Sequence, residues 1–312
     1  MTHELIELLT DPTSGMALTE NDDVLQCEGR NVARRIGDVW SFLEVENSFY
    51  EGAYLNRIRH VPKKDNTLHR LPFFFVANGY VWELCKHFAP GSRLLEMGCA
   101  SGVDYLGQRY RMVGLDYSLT SLQGLNGYEL RIQADAEHLP FADESLDGAI
   151  SSYFWEHIEP SAKDRILQQL HRCIRPGGRL VFLYDMETSN GLIDMARTAA
   201  PEKYQTDFLD GDGHIGYETV DENTQHFESN GFRVVRHIGM ERTWIQSVSA
   251  YKKLGDFPGL AGTIGKLART ASRGRLGNTL NMAVVRSADA TFGRLWPIAN
   301  SRILMTVAER VS

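Results

Sequence analysis

The chain has 312 residues, 43% of them hydrophobic, and a net charge of −7, which excludes a disordered or fibrous protein. No apolar run approaches the ~20 residues that span a bilayer, and Met1–Thr10 carries two glutamates, unlike a secretory leader, so the expected location is the cytoplasm, with peripheral membrane attachment as a variant. Cys27, Cys85, Cys99 and Cys173 lie far apart without a CxxC pair, and reduced thiols are expected rather than a disulfide or metal framework.

Residues 1–45 read as a small β-rich module and residues 46–240 as the main domain. Its lead-in, 46–92, contains an apolar helix over Phe73–Phe88 that stops before Pro90-Gly91. Short apolar runs then alternate with helical segments, the pattern of a parallel sheet with crossover helices. Strands are predicted at Leu94–Met97, Met112–Leu115, Leu130–Gln133, Leu146–Ser151, Arg179–Tyr184 and Phe232–His237. Ser161 with Asp164, and Thr219 with Glu222, predict the starts of the helices before the fifth and sixth strands. Residues 241–300 form a basic insert with an amphipathic helix marked by Leu276, Leu280, Val284, Phe292 and Leu295. Residues 301–312 supply a reversed last strand over Ile303–Ala308. The expected fold is α/β: a Rossmann-like, seven-stranded, mostly parallel sheet with helices on both faces, plus the module and the insert.

Ligands of open α/β sheets bind at the carboxyl ends of the strands. The loop Gly98-Cys99-Ala100-Ser101-Gly102 leaves the first strand there, and its small residues allow close backbone approach. Asp116 ends the second strand, where a carboxylate can accept both hydroxyls of a ribose. Asp135-Ala136 ends the third, where an adenine edge can be met. A dinucleotide fingerprint reads G-x-G-x-x-G. Here Glu96 precedes Gly98, and an acid beside the loop suits a sulfonium-bearing amino acid better than a diphosphate.

Glu96–Gly102, Gly114–Ser118, Asp135–Phe141, Ser145–Asp147 and Arg175–Gly178 resemble, in order, the motifs of class I S-adenosylmethionine-dependent methyltransferases of the type 11 kind. The resemblance covers roughly residues 75–240. It implies S-adenosylmethionine as cofactor and S-adenosylhomocysteine as product. It places Glu96, Gly98, Cys99, Ala100 and Gly102 around the methionine moiety, Asp116 and Tyr117 at the ribose, Asp135 and Ala136 at the adenine, and Ser152 on the rim. Ala100 stands where the family usually has glycine. Only thirteen residues separate Gly102 from Asp116, so the first crossover must be short.

Methyl transfer needs an aligned acceptor and often a proton acceptor. His157, just past the fourth strand, and His214, in a loop before the penultimate helix, are the catalytic candidates, with Asp185 third. Glu156, Glu159 and Asp207, Asp210 and Asp212 read as solvated loop acids, and no metal is expected.

Leu5–Leu43 resembles the small zinc-ribbon module that accompanies some methyltransferases. Asp11 and Ser14 fall at the first two cysteine positions, Cys27 at the third and Arg30 at the fourth. Four Cys/His ligands are needed for structural zinc, so this resemblance implies a module that has lost its metal.

From Tyr251 to Ser312 ten Lys/Arg face three Asp/Glu. Three uses fit this basic segment, placed by the topology near the acceptor: a lid, a homodimer contact, or a surface over 252–302 that meets an anionic membrane or a lipid-linked substrate. The leading expectation is methyl transfer, at oxygen, to a small-molecule acceptor such as a sugar, glycolipid or secondary metabolite. RNA methylation is an alternative that the acidic body disfavours, and a cofactor-binding scaffold without catalysis is another.

Overall fold

The computed structural model describes residues 3–43, 76–100, 102 and 104–311. The predicted segment 46–75, residues 73–75 of the first helix and Ser101 of the loop lie outside them.

All seven predicted strands form, most extended by a few residues. In chain order they are β5 (Arg93–Met97), β6 (Arg111–Asp116), β7 (Leu130–Gln133), β8 (Leu146–Ser152), β9 (Ile174–Asp185), β10 (Phe232–Met240) and β11 (Ile303–Arg310). The sheet runs β7-β6-β5-β8-β9-β11-β10 through this core. β5 to β9 pair in parallel, and β11 lies antiparallel between β9 and β10. Alternation along each strand feeds two apolar layers, one on each face. Leu95, Met97, Val113 and Leu115 enter one layer, and Leu94, Met112, Ile150 and Val181 the other.

The N-terminal module does not stand apart. β1 (Thr19–Asn21), β2 (Val24–Cys27), β3 (Arg30–Ile36) and β4 (Val39–Ser41) form an antiparallel meander. β4 then joins β7 in parallel, Trp40 opposite Ile132 and Ser41 opposite Gln133, making an eleven-stranded sheet. Leu5, Leu9, Leu25 and Trp40 share the core layer of the main domain. The four positions aligned with zinc ligands lie together: Arg30 Nη2 donates to Asp11 Oδ2 at 2.6 Å, Ser14 Oγ donates to the same oxygen at 2.7 Å, and Ser14 Oγ stands 3.8 Å from Cys27 Sγ.

The first crossover is a single 3-10 turn, Asp104–Gln108, as its length requires. The helix before β9 differs from expectation: it spans Pro160–Cys173, with Glu159 at its N-cap and no side-chain cap. Proline at the first helical position, with φ preset and no N–H to satisfy, starts the helix ahead of Ser161. Asp164 instead accepts from Asn230 and meets His226. The helix Val220–Ser229 does carry the Thr219–Glu222 capping box.

The insert is three helices, not one: Val248–Leu254, Gly259–Ala271 and Gly274–Ala290, followed by a 3-10 turn Phe292–Leu295. Tyr251, Leu254, Phe257 and Ala261 pack on Leu192, Ile193, Ala196, Tyr204 and Phe208, forming a third apolar cluster. Among the described residues no helix is long and apolar enough to cross a membrane.

Candidate functional site

The loop after β5 takes its shape from three left-handed residues, Gly98, Ala100 and Gly102, with φ of 60°, 40° and 57°. Such angles suit glycine and strain alanine. Asp116 closes the loop from β6: Ala100 N donates to its Oδ2 at 2.8 Å and Ser118 N to its Oδ1 at 2.9 Å. Asp116 thereby fixes the loop against the end of β6. A Cβ on Gly98 would lie 2.4 Å from the Phe154 ring, which shows how closely the wall from β8 sits on this loop.

A cavity of about 280 Å³ opens over these strand ends. Six predicted residues line it: Gly98, Asp116, Tyr117, Asp135, Ala136 and His157. Asp135 Oδ1 accepts from Glu137 N at 2.9 Å, and Gln133 Nε2 donates to the Tyr117 carbonyl at 2.9 Å, tying the tips of β6 and β7.

Other predicted residues fall elsewhere. Glu96 is buried beneath the loop, on the face of β5 opposite Leu95 and Met97, and accepts from the Tyr128 hydroxyl. Cys99 points into the core, where burial, then Asp116 and Glu96, push its thiol well up. Ala100, Gly102 and Ser152 shape the backbone without lining the cavity. Phe154, in the segment Tyr153–His157 that follows the fourth strand, also lines the cavity, whereas sequence reasoning missed the cavity-facing side of the helix Pro160–Cys173, including Arg165 and Ile166. The ion pair of Arg165 with Glu137 was visible only in the fold.

The far wall is built at the end of β8. Tyr153, with φ of 56°, turns the chain, and Trp155 is fully buried against Phe227, its Nε1 donating to Asn223 Oδ1 at 2.8 Å. This anchor carries Glu156 inward, to 1% exposure, so it is not the solvated acid expected. Burial, then Asp185, push the Glu156 carboxyl well up. His157 Nδ1 donates to the Gly213 carbonyl at 2.9 Å, the tautomer that leaves Nε2 a lone pair.

His214 does not line the cavity, but its ring lies 5.4 Å from that of His157 and stacks on Tyr217. Burial, then His157, lower its pKa to about 4, so it is neutral at pH 7. Asp185 Oδ2 stands 3.9 Å from His214 Nε2. Arg302 bridges Asp185 Oδ1, at 3.3 Å, to Glu241, which it grips with Nε at 2.9 Å and Nη2 at 3.1 Å. Glu241 opens the insert, so this ion pair ties the insert to the histidine wall. The insert is further held by Lys253 on Asp212 and by Asn190 Nδ2, which donates to the Thr243 carbonyl at 2.8 Å.

Residues 95–182 match the family model described as a methyltransferase domain. The chain is 30% identical over 115 residues to the ubiquinone/menaquinone biosynthesis C-methyltransferase UbiE of Haemophilus ducreyi, covering 32% of this chain and 43% of that protein. It is 31% identical over 121 residues to the 2-phytyl-1,4-naphtoquinone methyltransferase of Synechocystis sp., covering 33% and 49%. The chain thus spans less than half the length of either relative. Among solved structures, the geranyl diphosphate C-methyltransferase of Streptomyces coelicolor superposes with a TM-score of 0.49 at 12% identity, over 81% of this chain and 88% of that one. Residues 95–182 are thus similar to a methyltransferase domain, and both relatives are methyltransferases by name.

Proposed function

We propose that the protein transfers a methyl group from S-adenosylmethionine to an oxygen of a small, lipid-linked acceptor. The observation that carries the first half is the convergence of Gly98, Asp116, Tyr117, Asp135 and Ala136 on one cavity. Bound there, the cofactor supplies an electrophilic methyl on a sulfonium. Asp116 would meet the ribose hydroxyls, Asp135 and Ala136 would meet the adenine, and the loop backbone at Gly98 would meet the methionine moiety. His157 offers a nitrogen lone pair at the wall of the same cavity, on the side where the acceptor must lie.

The insert supports a lipid-linked acceptor. Leu267, Leu276, Leu280 and Leu295 are 69%, 74%, 56% and 82% exposed. Between Lys252 and Trp296 eight Lys/Arg accompany two Asp. Exposed leucines among cations complement an anionic membrane surface, and one relative is named for a phytyl-bearing naphthoquinone.

Calorimetric titration with S-adenosylmethionine tests the cradle. Micromolar binding is expected, weakened by at least about tenfold in Asp116→Ala, because a charge-assisted hydrogen bond contributes about 1.5–3 kcal/mol. No binding by the wild-type protein overturns the proposal. For the membrane surface, co-sedimentation with phosphatidylglycerol vesicles should exceed that with phosphatidylcholine and fall in Leu276→Asp/Leu280→Asp. Equal retention on both vesicle types removes the lipid reading and leaves the cofactor reading standing.

A further inference from the structure

We propose that Glu156, His157 and His214 bind a divalent transition-metal ion, with zinc(II) the ion their donors fit. One ligating atom from each of the three lies within 4.8 Å of the others. Two imidazoles and a carboxylate form a donor set shared by zinc and iron(II) sites with open coordination positions.

Two independent observations point to a ligand. Glu156 Oε2 is buried and has no hydrogen-bond partner, although its sister oxygen Oε1 accepts from Asp185 N at 3.3 Å. His214 Nδ1 is also buried without a partner. An unpaired polar atom in the interior costs about 1–3 kcal/mol, and here two of the three clustered residues each carry one. The outer shell is in place as well. His157 gives its Nδ1–H to the Gly213 carbonyl, and Asp185 stands beside His214 Nε2. The His157 bond fixes the tautomer and aim of that imidazole, while Asp185 Oδ2, 3.9 Å from His214 Nε2, stands within ion-pair distance of the second.

Arg302 is shared between Asp185 and the buried Glu241. Other acidic groups of the region are already committed. Asp207 is paired with Lys203, Asp210 accepts from Gln205, and Asp212 is paired with Lys253.

Because His157 also lines the cofactor cavity, the ion would sit at the acceptor's wall. Its role there rests on the methyl-transfer proposal; its binding does not. An acceptor oxygen on the open position would have its pKa lowered by the ion and would lose its proton to solvent, with His157 a ligand rather than a base. Acceptors with two adjacent oxygens would be favoured, since they can chelate.

The test uses the full chain, stripped with a chelator and titrated with cobalt(II) as a spectroscopic stand-in for zinc. One equivalent should bring up visible d–d absorption, abolished by added zinc. His214→Ala and Glu156→Gln should lose the signal, and Asp185→Asn, an outer-shell change, should weaken binding about 10–100-fold. Glu159→Gln and Asp210→Asn should bind as the wild type does, with thermal melts showing that every variant is folded. No signal and no heat of zinc binding in the wild-type protein overturns the site, as does full binding by folded His214→Ala. S-adenosylmethionine titrated into the stripped protein separates the two proposals. Cofactor binding without metal uptake sinks only the metal site, and metal uptake without cofactor binding sinks only the methyl-transfer role.

Discussion

Gly98→Ala is the substitution on which the site geometry can be tested with a magnitude. The residue has a φ of 60°, and an L side chain in the left-handed region costs roughly 1–2 kcal/mol. Its Cβ would also lie 2.4 Å, 2.7 Å and 2.8 Å from Cδ2, Cγ and Cβ of Phe154, an overlap that must push the ring away. Overpacking of that kind typically costs about 1–3 kcal/mol, so the sum is roughly 2–5 kcal/mol. Phe154 lines the cavity, and its displacement should weaken S-adenosylmethionine binding as well as folding. Urea denaturation reads the first effect and calorimetry the second. Phe154→Ala in the same background removes the ring overlap but leaves the 2.8 Å approach to Cβ of residue 154 and the φ strain. The double-mutant cycle should therefore show a coupling of about 1–3 kcal/mol. A single variant within about 0.5 kcal/mol of wild type, or an additive cycle, would falsify the close apposition of loop and wall.

Three further outcomes follow from other residues. Ala100→Gly should stabilise the protein by about 0.5–1 kcal/mol in urea titrations, because relief of a φ of 40° exceeds the added chain entropy of glycine. Arg302→Leu should cost about 3–5 kcal/mol, since it leaves Glu241, at 1% exposure, as an unpaired buried charge, whereas Arg302→Lys should recover part of the loss. Burial pushes Asp289 up to about 6, so between about pH 4 and 6 the folded state holds a proton that the unfolded state has lost. The resulting stability is fully present below the unfolded pKa and is lost as pH rises through the folded one, by on the order of 3 kcal/mol. Asp289→Asn should flatten that component of the urea midpoint measured across this range, and an unchanged slope would remove Asp289 as its source.

The strands were legible because each is a short apolar run closed by a turn signal, and Asp116 and Asp135 were legible because a strand end fixes where its last residue points. Glu96 is placed by strand alternation. It sits one residue from Leu95 and Met97, and alternation alone sends it to the opposite face, where Tyr128 receives it. The union of β4 with β7 was invisible. Trp40 and Ile132 meet through a pairing that spans the lead-in and two strands, and no local pattern encodes it. The same holds for Asp11, Ser14, Cys27 and Arg30, whose order suggested a zinc-ribbon layout while only the fold shows the ion pair and hydrogen bonds that join them.

Glu156 is the most instructive of these cases. Read locally, an acid between Trp155 and His157 at a strand end belongs in solvent. The turn Trp155–His157 is instead oriented by Trp155, whose stacking on Phe227 and bond to Asn223 outweigh the cost of turning the next side chain inward. A sequence in which one residue's packing forces its neighbour's charge into the interior is locally inconsistent, and such inconsistencies concentrate at functional sites. His214 arrives from a separate loop, its Nδ1 also buried without a partner. Two elements that each bury an unsatisfied polar atom, and that meet beside His157, have a common physical remedy in a bound cation.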